Sequence, residues 1–133
     1  MTTADQTTPR VTDRDHVAGV RLKTITDDFM RAGLAKRRAY TVGMLRRTSK
    51  YKRPGVDPVI WEHGRRNFAL REHGALAIVL PVMDDGEWAG IGVFDATPEE
   101  VGRIMDSDPG VEAGIFTYEV HPVGGFPGSS LPS

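Results

Sequence analysis

"DPVIWEHGRRNFALREHG", residues 57–74, decides the fold. The stretch carries its own punctuation. Asp57 is placed to cap a helix, Pro58 suits the first helical position, and Gly74 stands just past the last turn. At about 100° per residue around a helix axis, Glu62, Arg65, Arg66, Glu72 and His73 gather on one polar arc. Val59, Ile60, Trp61, Phe68 and Leu70 take the other side. His63 falls inside the apolar arc, between Ile60 and Leu70, with Asn67 one turn further along the same face. His73 lies on the wet side. The two histidines therefore differ in status.

Outward from this helix, the flanking segments read as strands and turns. Upstream, "RAYTVGMLRR" has the β-branched and aromatic content of a strand near residues 38–47, and "SKYKRPGV" is a loop. Downstream, "ALAIVLPVM" is an apolar run too short for a helix of its own, "DDGEW" supplies a turn, and "WAGIGVFDA" is a strand pairing back. "TPEE" is a capping box in which Thr97 caps and Glu100 reaches back. The helix it opens should end near Ser107, because Asp108 precedes Pro109 and is steered away from helical angles. "GIFTYEVHP" is the last strand, and "VGGFPGSSLPS" is a Gly/Pro/Ser tail.

The order is strand, helix, strand, strand, helix, strand. That is the split βαβ arrangement of ferredoxin-like α+β domains. The expected organisation is an N-terminal extension over 1–37, a ferredoxin-like βαββαβ domain over 38–123, and a tail over 124–133. Residues 1–16 are polar and read as a loosely attached segment. Within 17–38 one short helix is expected, capped by Thr26, favoured by Asp27 and Asp28, and stopped at Gly33. Its stripe of Leu22, Ile25, Phe29 and Ala32 predicts packing.

Composition narrows the function classes. At 133 residues and 39% hydrophobic, the chain fits a single globular domain with a modest core. No apolar run approaches the roughly 18 residues of a membrane span, and "MTTADQTTPRVTDRD" has no signal-peptide core. The chain has no cysteine, which excludes disulfides, thiolate metal sites and cysteine nucleophiles. A cytoplasmic protein is the simplest expectation. Charge is uneven: residues 1–53 hold 13 of the 17 Lys and Arg but 5 of the 18 Asp and Glu. The bases are scattered, with no RNA-binding or helix-turn-helix signature, so a solvated basic face, or one that meets the acidic half of a partner subunit, is expected and not a nucleic-acid site.

His63 has two readings from this helix alone. An inward histidine must find hydrogen-bond partners or leave a polar group unpaired, at a cost of about 1–3 kcal/mol. A backbone carbonyl or Asn67 would satisfy it as a core residue. Alternatively it lines a pocket, where an imidazole suits proton transfer near neutral pH. A carboxylate placed to orient the ring would favour the second reading. "MDSDPGVEAG" offers one in Asp108, which also has the sequence context of a helix cap before Pro109. One oxygen can cap while the other accepts from a histidine.

"WEHGRRNF" followed by "DSDPGVEAGIFTYEVHP" resembles the YCII-related family of small ferredoxin-like proteins, over roughly residues 38–122. The pattern is a histidine on the first helix and an Asp-Pro after the second, then a small-residue turn and the final strand. The resemblance implies a homodimeric α+β barrel in which two sheets pack face to face, and a cleft with a His–Asp pair, here His63 and Asp108. One branch of the family removes chloride from a chlorinated hydroxyquinol, and related barrels include muconolactone isomerases. The chain departs from short members in its N-terminal extension and in the loop "RRTSKYKRPG".

The expectation is an enzyme of isomerase or lyase type, with His63 as general base and Asp108 as its partner. It would need no metal and no organic cofactor, and act on a small aromatic or dicarbonyl molecule. Asn67 would hold a substrate oxygen, and Tyr51, Arg46 or Arg47 would close over an anionic group. Neither His16, His73 nor His121 shares a metal-ligand spacing with His63. The alternative is a non-catalytic ligand-binding or accessory dimer in which the His–Asp pair braces helix to sheet. Gly90 and Gly92 lack a dinucleotide fingerprint and predict close packing; Trp61 and Trp88 are expected as core or interface anchors. Dimerisation also has a physical motive. A sheet with both helices on one side leaves its other face bare, and "AIVLPV" and "GIGVF" carry apolar residues to both faces.

Overall fold

The computed structural model describes residues 14–133, and these fall in two compact units that divide after Arg37. Most of the stretch expected to be loosely attached therefore lies outside the described residues. The first unit contains a minimal hairpin, His16–Val17 against Val20–Arg21, and a helix over Asp27–Ala35. Thr26 caps that helix as expected, accepting from the Phe29 amide at 3.1 Å. The helix runs through Gly33 and ends at Ala35, with Lys36 as its C-cap. Leu22, Ile25, Phe29 and Ala32 are all exposed, so the predicted packing stripe is not buried.

The second unit is a mixed α+β structure built from β1 (Arg38–Arg47), α1 (Asp57–His73), β2 (Leu76–Pro81), β3 (Trp88–Phe94), α2 (Pro98–Asp106), α3 (Pro109–Glu112) and β4 (Phe116–Gly125). The four strands form one antiparallel sheet in the order β2-β3-β1-β4. The loop after β1 contains a 3-10 turn over Ser49–Lys52. The last strand continues to Gly125, past the point where the sequence turns rich in Gly and Pro.

Local chemistry sets the ends of these elements. Gly74 adopts φ 95°, and its amide closes α1 onto the Leu70 and Arg71 carbonyls. The N-cap of α1 is Val56, in helical angles, and Asp57 is the first helical residue. The expected Asp57 cap is thus displaced by one position, and its carboxylate acts through its charge at the helix's positive end. Thr97 caps α2, accepting from the Glu100 amide at 3.2 Å. In the β2–β3 turn, the Asp84 carboxylate accepts from the Gly86 amide at 2.9 Å.

Side chains alternate across the sheet. Thr41, Gly43 and Leu45 of β1, Phe94 of β3 and Phe116 of β4 point to the face that the helices cover. There Val101 and Met105 of α2 join Leu45, Leu76, Phe94, Ile115 and Phe116 in the core. Val101 is fully buried and contributes about 1.5–3 kcal/mol by leaving water. Buried Thr41 donates its hydroxyl to the Ala96 carbonyl at 2.7 Å, so burial leaves it paired. The opposite face presents Val42, Met44, Ile78, Leu80, Ile91 and Val93, of which Leu80 is exposed and the rest half-buried.

Candidate functional site

Between α1 and the sheet lies a cavity of about 400 Å³, within the size range of small-molecule sites. Its floor is made by missing side chains. Gly43 pairs with Gly92 and Leu45 pairs with Gly90 across β1 and β3, on the face beneath α1. Gly92 makes room for the Phe94 ring and the Leu76 side chain, which a Cβ there would meet at 2.9 and 3.0 Å, whereas Gly90 leaves space open on the cavity side.

His63 lines this cavity from α1, and its side chain is 17% exposed. Its Nδ1 is 2.7 Å from Asp108 Oδ1, and the Asp108 side chain is 3% exposed. With Asp108 as acceptor, Nδ1 carries the proton and Nε2 is the basic atom. Nε2 faces the Asn67 side-chain amide nitrogen at 3.3 Å, one helical turn along. The His63 ring also packs at a tilt on Phe116, with centroids 5.0 Å apart.

Asp108 holds two jobs with two oxygens. Oδ2 accepts from the Gly110 and Val111 amides at 2.9 and 3.3 Å, capping α3, while Oδ1 serves His63. The cap holds the carboxylate in place independently of the imidazole. Burial by itself would raise the Asp108 pKa. The hydrogen bond and charge of His63, together with the Val111 and Gly110 amides, outweigh burial and hold the carboxyl below its usual range. The acid therefore stays ionised beside the ring. Arg66 stands nearby: its guanidinium donates to the Ile104 carbonyl at 2.7 Å and lies 4.0 Å from Asp108 Oδ1.

The structure gathers some of the expected residues and separates others. Tyr51 and Asn67 line the cavity with His63. Tyr51 stacks against Phe116 with centroids 5.7 Å apart. Arg47 lines it too, but much of its guanidinium is committed to the carbonyls of Val82, Gly86 and Trp88, which clamps the β2–β3 turn. Arg46 does not reach the cavity. Neighbours on a strand point to opposite faces, and Arg46 stacks on Trp88 at 4.3 Å and pairs with Glu119 at 3.2 Å on the far side. Its expected substrate role is corrected on that ground. Trp61 is likewise no core anchor, since it is 71% exposed.

Three contributors were not read from the sequence: Arg71 on the wall, Arg66 behind Asp108, and Phe116 beneath His63. Phe116 was within reach of strand alternation in "GIFTYEV". The long arginines carry no such signal, because their stems let them reach across an element.

Among the described residues, no group of three or more His, Asp or Glu is placed to hold a metal ion. No described helix is long and apolar enough to cross a membrane. No protein-family model matches the chain, and no curated protein does. Among solved structures it is similar to 5-chloro-2-hydroxyhydroquinone dehydrochlorinase from Burkholderia phenoliruptrix AC1100, determined in complex with 2,5-dihydroxybenzoquinone. That likeness has 20% identity and a TM-score of 0.43, and covers 61% of this chain and 90% of that one. Nothing about this chain's activity follows from it.

Proposed function

We propose that the chain is a cofactor-independent enzyme that moves protons on a small organic substrate through the His63–Asp108 pair. The observation that carries this reading is the 2.7 Å contact on the wall of a cavity large enough for such a molecule. Neutral His63 takes a proton from a substrate C–H or O–H at Nε2. The electron pair left behind moves into the substrate, and the imidazolium is stabilised by ionised Asp108. Returning the proton at another atom completes an isomerisation. Loss of a leaving group with an electron pair completes an elimination, and the proton then passes to solvent. Asn67 gives up its long bond to Nε2 and donates to the substrate oxygen on which charge develops.

The same reading extends to architecture. The element order and the sheet order β2-β3-β1-β4 support a ferredoxin-like domain. The apolar open face, with Val42, Met44, Ile91 and Val93, supports a homodimer in which two sheets meet as an α+β barrel. Light scattering of the wild type and of Met44→Lys tests this: a dimer that becomes a monomer is expected.

One observation favours a second reading. Both ring nitrogens of His63 already have partners, Asp108 and Asn67, as a structural brace in a ligand-binding module requires. A turnover screen of small enolisable and halogenated phenolic compounds separates the two, using wild type and His63→Ala. Turnover by the wild type alone supports the enzyme. Equal turnover by both removes His63 as the base.

A further inference from the structure

The cavity wall is electrostatically one-sided. Arg47, Arg71 and His63 line it and no Asp or Glu does, although the chain has 18 acids. Asp108 lies behind His63 and is matched to it. Arg47 is the decisive member. It is half-buried, and its partners are three carbonyls and the Tyr51 ring, with no carboxylate among them. Carbonyl dipoles hold the guanidinium in place without cancelling its charge, and part of its donor fork stays free. A fixed, partly desolvated cation lacking a counter-charge is a seat for an anion, and the planar fork matches a carboxylate.

The wall also sets direction. Arg47 lies 5.3 Å from the Tyr51 ring, Tyr51 lies 5.7 Å from Phe116, and Phe116 lies 5.0 Å from His63. These contacts form a continuous aromatic track from the cation to the imidazole. A molecule seated on Arg47 by its acid group lies along that track and brings its opposite end to His63.

Resting on the reading of this cavity as a substrate site, we infer that it takes elongated, conjugated carboxylates, anchored by the carboxylate at Arg47 and reacting at the far end. Arg71, exposed on the cavity wall, adds a second positive charge to the lining. This excludes neutral substrates of the same shape and carboxylates whose reactive position adjoins the acid group.

Calorimetric titration of the wild type with trans-cinnamate and with its neutral counterpart cinnamamide tests the inference. Cinnamate should bind about tenfold or more tightly than the amide, the worth of a charge-assisted pair. Arg47→Met should bring cinnamate to the level of the amide, while Arg47→Lys retains part of the preference. Because Arg47 also clamps a turn, Arg71→Glu provides a second variant on an exposed position, and it should weaken cinnamate without weakening cinnamamide. Equal binding of the two compounds, no binding of either at millimolar concentration, or a preference untouched by Arg71→Glu and by a folded Arg47→Met overturns it. His63→Gln should keep the preference. A wild type that prefers cinnamate but shows no turnover sinks the catalytic reading alone, and turnover with equal binding sinks this one alone.

Discussion

His63 and Asp108 stand 45 residues apart in sequence and 2.7 Å apart in space. One comes from the inward face of α1, the other from the residue that caps α3. The contact thus ties the helix over the cavity to the turn that leads into β4. Asp108 is fixed twice, by backbone amides on one oxygen and by imidazole on the other.

Removing that carboxylate should cost stability through both of its roles. Asp108→Ala loses the cap, worth about 0.5–2 kcal/mol, and leaves the Nδ1–H of half-buried His63 without its acceptor, worth about 1–3 kcal/mol. A total of about 1.5–5 kcal/mol is expected in urea unfolding. Asp108→Asn, whose single amide oxygen can still cap α3 while its NH2 donates to Nδ1 of the other imidazole tautomer, should lose less. Equal losses from the two substitutions would contradict the double role.

The Asp108 carboxyl titrates below its usual 3.8 in the folded chain. Burial acts in the other direction and is outweighed by His63 and the two amides. A carboxyl with a depressed folded pKa adds stability that is present above 3.8 and is lost as pH falls through the folded value. The stability gap between wild type and Asp108→Asn should therefore be full near neutrality and shrink below 3.8. Urea midpoints across that range measure it, and a gap independent of pH would rule out the linkage.

Gly110 is where the cap and the aromatic floor meet. A Cβ there would lie 2.7 Å from Phe116 Cε2 and 3.1 Å from Asp108 Oδ2, and closer still to Phe116 Cδ2. Gly110→Ala must displace the ring that supports His63, costing about 1–3 kcal/mol as overpacking. Thermal melting reads the loss. An unchanged midpoint would show that Phe116 has room to yield.

The cavity floor predicts a different outcome at Gly90. A Cβ there meets only the Leu80 carbonyl at 3.4 Å and the Pro81 Cα at 3.9 Å, which are ordinary contacts. Gly90→Val should leave stability within about 1 kcal/mol, since a β-branched residue suits a strand. It should abolish ligand binding by filling the space opposite α1. Retained binding in a folded variant would place the guest elsewhere.

The inward turn of His63 was legible in "DPVIWEHGRRNFALREHG" because helical periodicity fixes which residues share a face. Asp108 was legible because Asp before Pro both ends one helix and caps the next. The distinction between Arg46 and Arg47 was not, although they must point to opposite faces. Alternation alone does not say which face bears the cavity, and the register of β1 against β3 shifts just before them, between Leu45 and Arg46. The same helical wheel placed Trp61 and Phe68 on the apolar side, yet both are exposed. The arc is wider than the strip that touches the sheet, where Ile60 and Leu70 pack with His63 between them. The glycine floor escaped altogether, since space left by absent side chains becomes a cavity only when strands are paired in register.

Proton abstraction at His63 is open to direct measurement by hydrogen–deuterium exchange. Carboxylates that bind the cavity and carry an acidic C–H are incubated in deuterated buffer, and label uptake at carbon is followed by NMR. The wild type should accelerate uptake, and His63→Ala should slow it by about 10²–10⁴-fold while still binding the compound. Uptake at the same rate with both proteins would show that the imidazole does not take the proton.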